Sequence, residues 1–159
     1  MRVGMGYDIH RLAAGLPLVL GGVAIPSDRG EEGFSDGDAL IHAVIDSLLG
    51  PAGLGDIGSN FPQGREEYRG ISSRVLLRRA RQMVEGAGFD VENVDCIVAL
   101  QSPKILPHVP AIRRTLAEDL GLAVERVTAK GKTGEGLDAV GTGKAVAAWA
   151  VALLRERGA

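Results

Sequence analysis

The chain has 159 residues, 45% apolar and 24% charged, with a formal net charge of −2. That length suits one domain, residues 1–159, with a full hydrophobic core, and the charge balance excludes a basic nucleic-acid surface. No apolar run approaches the roughly 20 residues a membrane helix needs, no signal-peptide pattern opens the chain, and Cys96 is the lone cysteine, so a cytoplasmic, reducing setting without disulfides is expected.

Residues 2–11 read as a strand, with Asp8 and His10 on one face and Tyr7 and Ile9 on the other. Residues 16–25 read as a second strand, with Gly21-Gly22 marking a bulge or close approach, and 26–33 as a charged loop. Ser35 is a natural N-cap, with Asp38 as its acidic N3 partner, for a helix that runs to about Leu49 and is stopped by Gly50-Pro51. Residues 55–70 form a loop rich in Gly, Asn and charge, long enough to suggest a function. Residues 72–87 predict an amphipathic helix with Val75, Leu76, Ala80 and Met83 as its apolar stripe. A strand over 91–100, with Val94, Cys96 and Val98 alternating, leads to a helix over 109–120 that ends at Gly121. A strand over 124–130, a glycine-rich loop over 131–143 and an Ala/Val/Leu-rich closing helix over 144–157 complete the chain. The elements predict an α+β fold, a mixed four-stranded sheet with helices packed on one face.

Asp8-x-His10 alone is an ordinary pair for a wet strand face. His42 changes its meaning. Asp38, His42 and Asp46 are spaced i, i+4, i+8 and draw one polar line along an otherwise apolar helix. That line either borders a site or is satisfied inside the core. Asp8, His10 and His42 together offer two nitrogens and one oxygen, the three-ligand set of an open, catalytic-type Zn²⁺ site.

The stretch 129–145 holds two misleading fragments. Gly131-Lys132-Thr133 resembles the end of a Walker A loop, but Arg126 stands where the first glycine is needed. Gly134-x-Gly136-x-x-Ala139 lacks the βαβ setting of a dinucleotide fingerprint. What remains is a loop with exposed amides, Lys132, Thr133 and Glu135, suited to phosphates and a Mg²⁺ ion, or else a simple turn before a helix. The segment Leu100-Gln101-Ser102-Pro103-Lys104-Ile105-Leu106-Pro107-His108 is a strand end stiffened by two prolines. It either reads a flat ring through its backbone amides and carbonyls or serves as a plain strand-to-helix turn.

The combination GYDIHRL, SDGDALIHAVIDSLLGPAGLGDIGSNFP, QSPKILPH and the loop around Lys132-Thr133-Gly134-Glu135 strongly resembles the 2-C-methyl-D-erythritol 2,4-cyclodiphosphate synthase family. The resemblance covers essentially the whole chain. It implies a homotrimer with active sites between subunits, acting on a cytidine diphosphate small molecule in non-mevalonate isoprenoid synthesis. The 2-phosphate of the substrate attacks its own β-phosphorus and expels CMP. By position, Asp8, His10 and His42 hold one Zn²⁺ per subunit, and Glu135 binds Mg²⁺ or Mn²⁺ together with the substrate. Thr133 and Glu135 fall in the catalytic group, with the backbone N–H of Phe34. Asp56 and Gly58 hold hydroxyls, and Leu100, Gln101, Ser102, Pro103, Lys104, Ile105 and Leu106 of a neighbour form the cytidine pocket. The resemblance also assigns substrate contacts to Asp8, His10, Phe34, Ser35, Ile57, Phe61 and Arg65, and to Lys132, Gly134, Ala139 and Thr142.

Some positions depart from the family pattern. Phe34 stands where a His is common, and Gln63 where an Asp is common. Thr142 and Lys144 replace the Arg and Glu that often line a trimer-axis cavity able to hold isoprenoid diphosphates. Two other readings share the same ligands. One is a trimeric nucleotide-binding regulator with a closed structural zinc, whose fourth ligand would be Cys96 or His108. The other is a nucleotide pyrophosphohydrolase using metal-bound water.

Overall fold

The computed structural model describes residues 1–158. Its centre is a five-stranded mixed sheet in the order β4-β1-β7-β5-β6. The strands are β1 (Arg2–Ala14), β4 (Arg29–Glu31), β5 (Phe89–Ala99), β6 (Val127–Lys132) and β7 (Ala145–Glu156). β7 pairs antiparallel with both β1 and β5, while β5 and β6 are parallel, joined through helix α4 (Val109–Leu120). The long helices α1 (Ala39–Ala52), α3 (Ser73–Gly86) and α4 belong to the same core as the buried sheet residues Val94, Cys96, Val98, Ala148, Ala150, Ala152 and Leu154. No helix among the described residues is long and apolar enough to cross a membrane.

The closing segment corrects the expected helix: it is β7, the middle strand of five, so the sheet is not four-stranded. Its sequence, AVAAWAVALLRE, has the composition of a helix, and apolar residues on both faces hide the period of two. Tertiary packing overrides that propensity. Ala148, Ala150 and Ala152 are buried toward the helices, while Trp149 and Val151 point to the opposite face. On that face Val3, Met5, Tyr7 and Ile9 of β1 are also exposed, and Tyr7 and Trp149 meet at 5.2 Å between ring centroids.

The expected second strand is a hairpin, β2 (Leu18–Leu20) and β3 (Val23–Ile25), forming a separate two-stranded sheet. Gly21 and Gly22 have φ of 60° and 74°, the paired positive values that a tight two-residue turn requires. The supposed loop before α1 contains β4. α1 begins later than expected: Asp38, not Ser35, is the N-cap and accepts the Ile41 N–H at 3.0 Å. It also ends later, because Pro51 falls in the last turn and Gly53, at φ 77°, closes the helix. The loop over 55–70 carries a short helix α2 (Ile57–Asn60) with an Asp56/Ser59 capping box and one 3₁₀ turn, Glu66–Tyr68. The strand expected from 124 opens as a 3₁₀ turn and becomes β6 only at Val127. The glycine-rich loop holds a short helix, α5 (Asp138–Gly141).

α1 lies directly on β1. A Cβ on Gly4 would sit 2.2 Å from the Ser47 carbonyl, and one on Gly6 would sit 1.9 Å from the Ala43 carbonyl. Only hydrogen fits at either position. Gly50, on the open side of α1, has nothing within 4 Å of such a Cβ. Gly6→Ala is therefore expected to destabilise the fold by about 3 kcal/mol or more, and Gly50→Ala to stabilise it by up to about 1 kcal/mol. Urea unfolding of the two variants checks this pair of opposite signs.

Candidate functional site

The close approach of α1 to β1 brings His42 beside Asp8 and His10. Gly4, Gly6, Asp8 and His10 alternate along one face of β1, and that face looks at α1. Asp8 Oδ2 lies 2.8 Å from His10 Nε2 and 2.9 Å from His42 Nδ1, and the two nitrogens are 3.3 Å apart. The outer ring nitrogen of His10 is 2.7 Å from the Glu32 carbonyl, to which it donates. That leaves Nε2 with its lone pair toward the site. Asp8 Oδ1 accepts the Ile9 N–H at 2.9 Å, which anchors the carboxylate.

These three residues form a group that could hold a metal ion, their donor atoms all lying within 4.8 Å of one another. Two imidazole nitrogens and a carboxylate oxygen suit a borderline-soft divalent ion. The 3.3 Å between the nitrogens matches the edge of a tetrahedron with metal–nitrogen bonds of about 2.0–2.1 Å. Among the described residues no fourth His, Cys, Asp or Glu joins the group. Cys96 is buried on β5, and burial pushes its thiol up to about 12, so it does not close the site as a structural zinc would require.

Burial works against charge on Asp8, but the close approach of the His10 and His42 rings outweighs it and holds the carboxyl well below the usual range. Burial likewise opposes charge on His10, and the Asp8 contact reverses that and raises its pKa.

The polar line along α1 divides its work. Asp38 is fully buried and accepts from Gly21 N, Gly22 N and Ile41 N at 3.0, 2.6 and 3.0 Å, so it ties the β2–β3 turn to the helix start. His42 faces the triad. Asp46 accepts the Ile57 N–H at 2.7 Å and fixes α2 over the same cavity.

That cavity is lined by Asp8, His10, Phe34, Ser35, His42, Ile57, Gly58, Phe61, Gln63, Tyr68 and Leu76. Sequence reading named the first eight of these as site residues, Gly58 for a substrate hydroxyl, and Gln63 only as a departure from the family pattern; it missed Tyr68 and Leu76. Tyr68 meets Phe61 edge-on at 5.9 Å, and the Arg69 guanidinium covers the Phe34 ring at 4.8 Å. Leu76 was legible only as core. No Lys or Arg lines the cavity.

The second group gathers elsewhere. Leu100, Lys104, Ile105, Leu106, Lys132, Thr133 and Glu135 line one cleft with Gly131. Gly134 lines a neighbouring cleft with Lys132 and Thr133. The Thr133 hydroxyl donates to Glu135, and Glu135 holds a left-handed φ of 51°, uncommon for a residue with a Cβ. Gln101 accepts the Gly134 N–H at 3.2 Å, pinning this loop to the strand end, and Ser102 and Pro103 lie in the adjoining bend. The exposed Thr142 hydroxyl donates to the Asp138 carbonyl at 2.7 Å, and the Ala139 carbonyl accepts from Lys144 N at 2.8 Å. Arg65 pairs with Glu67 at 3.5 Å on the exposed loop. The exposed Asp56 carboxylate is lowered by hydrogen bonds from the Ser59 side chain and N–H.

The two groups do not meet within one chain. β1 and β6 are separated by β7 and β5, three strand spacings or about 14 Å. The cavity at the triad and the cleft at Thr133 share no lining residue.

Residues 1–155 match the model of the YgbB family. The chain belongs to this family. It is 54% identical over 157 residues to a 2-C-methyl-D-erythritol 2,4-cyclodiphosphate synthase of Laribacter hongkongensis, covering 99% of this chain and 97% of the relative. A solved 2C-methyl-D-erythritol-2,4-cyclodiphosphate synthase in its CDP-bound form is 42% identical, with a TM-score of 0.90, over 97% of this chain and all of that one. The CDP complex of the Plasmodium falciparum enzyme is 35% identical, with a TM-score of 0.86, over 99% and 97% of the two chains. The YgbB-family fold thus spans the five-stranded sheet and both clefts.

Beside the triad, Glu31 is 4% exposed; its Oε2 accepts the Ala39 N–H at 3.0 Å and its Oε1 has no partner. Burial, with Asp38 nearby, pushes its carboxyl from 4.5 up to about 10. A pKa raised on folding means the native state binds the extra proton. The stability it confers is full below pH 4.5 and is lost as pH climbs toward 10. Urea midpoints are expected to fall from about pH 5 to about pH 9, and Glu31→Gln, which keeps an acceptor without the charge, is expected to flatten that slope. Parallel slopes for the two proteins would remove Glu31 as the cause.

Proposed function

We propose that this chain converts 4-diphosphocytidyl-2-C-methyl-D-erythritol 2-phosphate to 2-C-methyl-D-erythritol 2,4-cyclodiphosphate and CMP at the Asp8–His10–His42 cavity. It is an enzyme of the cyclodiphosphate synthase family, and its full-length likeness to such synthases supports the reaction. The observation that carries the site assignment is the composition of the cavity. A pocket lined by a carboxylate and two imidazoles, with no Lys or Arg, accepts a diphosphate only through a bound cation.

Asp8, His10 and His42 would hold Zn²⁺, and Glu135 would hold Mg²⁺ or Mn²⁺. Bound there, such ions supply Lewis-acid stabilisation of phosphate charge. The chain supplies no nucleophile, and none is needed. An oxygen of the 2-phosphate forms the new bond to the β-phosphorus. The bond from that phosphorus to the oxygen bridging to the α-phosphate breaks, and CMP leaves with the electron pair. Holding both ends of one molecule in a closed pocket provides the proximity. Ile57, Phe61, Tyr68 and Leu76 form the apolar wall that keeps water from competing. The Phe34 N–H and Ser35 stand at the triad, Asp56 and Gly58 hold substrate hydroxyls, and the Thr133 hydroxyl contacts the phosphates. The cleft over 100–106, to which Lys104 and Lys132 give positive charge, would take the cytosine; that solved relatives are CDP complexes supports a cytidine ligand.

A homotrimer, working in the cytoplasm, joins the two halves. The separation of about 14 Å within one chain calls for a neighbour to bring its cleft to the triad. The exposed apolar face of β1 and β7, with Met5, Tyr7, Trp149 and Val151, supports burial against copies of the chain.

³¹P NMR of the protein with this substrate and Mg²⁺ is expected to show a coupled pair of cyclic-diphosphate signals and free CMP. A linear diphosphate with CMP would instead make the protein a hydrolase. His42→Ala is expected to lose zinc and to lower kcat/KM by about 10³-fold or more, while sedimentation still reports three chains. Full activity in zinc-free His42→Ala removes the triad from the reaction.

A further inference from the structure

His42 is the one triad member on a helix, and both of its ring nitrogens are engaged. Nδ1 faces Asp8 and His10. Nε2 lies 2.9 Å from Ser73 Oγ and 3.2 Å from Ser35 Oγ. Ser73, the first residue of α3, is fully buried. Its hydroxyl donates to Asp36 Oδ1, and its N–H donates to Asp36 Oδ2 at 2.8 Å. A serine hydroxyl has one proton. With that proton given to Asp36, Ser73 Oγ can only accept, so the proton between it and His42 resides on Nε2. The lone pair of Nδ1 then points into the triad.

We propose that Asp36 and Ser73 are positioning residues that fix His42 as a metal ligand. The carboxylate orients the hydroxyl, and the hydroxyl orients the ring and its tautomer. The carboxylate accepts twice from Ser73, so both of its oxygens are needed. An amide at position 36 has one accepting oxygen where the carboxylate has two. With its oxygen on the Ser73 N–H, its NH₂ donates to Ser73 Oγ and turns the serine proton toward His42 Nε2. That reversal places a proton on Nδ1, where the metal must bind. Ser73→Ala acts more simply: it leaves Ser35 as the only hydroxyl beside Nε2, and Ser35 is free to donate.

This rests on the reading of Asp8, His10 and His42 as a metal centre, and zinc binding tests the two separately. Zinc dissociation constants of the purified, full-length protein would be measured by competition with a chromophoric chelator. Asp36→Asn and Ser73→Ala are each expected to bind zinc about 10- to 100-fold more weakly than the parent, and Ser73→Thr, which keeps the hydroxyl, to bind within a few fold of it. In the zinc-loaded parent, ¹H–¹⁵N spectra are expected to show a His42 Nε2–H protected from exchange with water, and in Ser73→Ala that signal is expected to exchange fast. Asp36 is not wholly buried, so Asp36→Asn decides the matter if Ser73→Ala does not fold. Parent-like zinc affinity in Asp36→Asn, or an unprotected Nε2–H in the parent, overturns the proposal. A parent chain that binds no zinc overturns the metal centre itself.

Discussion

The site depends on one contact, the seating of α1 on the bare backbone of β1. At Gly4 and Gly6 the helix carbonyls of Ser47 and Ala43 occupy the space where side chains would stand. Any larger residue would lift the helix away and take His42 with it. The next two positions on the same face are Asp8 and His10, so the strand first admits the helix and then sets two polar side chains beside its His42. Across the sheet, Ala148, Ala150 and Ala152 of β7 keep the same surface low. Small residues here are a distance constraint for the chemistry, not a lack of packing.

The electrostatics follow from that geometry. α1 begins beside the buried, protonated Glu31 and the buried Asp38, and the carboxylates Asp36, Asp8 and Asp46 lie near it. Backbone N–H groups and imidazoles satisfy most of them, and no basic side chain enters the cavity. A nearly neutral chain thereby concentrates negative potential where a phosphate must arrive. Such a pocket favours divalent ions first and phosphate through them. The positive side chains, Lys104 and Lys132, lie in the other cleft.

Much of this was legible in the sequence. Asp8 and His10 could be assigned to one face by a period of two, and His42 to a polar line by a period of four. The meeting of strand and helix was less legible, because its signal was the absence of side chains at Gly4 and Gly6. β7 was misread because its alanines serve the helix-facing side while Trp149 and Val151 make the other side apolar, so no alternation shows. Asp38 displaced Ser35 as the cap because the Gly21-Gly22 turn offers it two more N–H groups, a long-range term that local pattern does not contain. Ser73 and Asp36 carry no motif signal of their own. Their role appears only when the proton on one hydroxyl is traced.

The position of β7 bears on how the chain is made. It is the last strand in sequence but the middle one in space, holding β1 and β5 on either side. Until residues 145–156 emerge from the ribosome, β1 and β5 each present an open edge and α1 has only part of its floor. Asp8 and His10 on β1 are synthesised before β7, whose surface steadies them. The central sheet of this domain is therefore completed only once β7 is made, and until then two strand edges stand open.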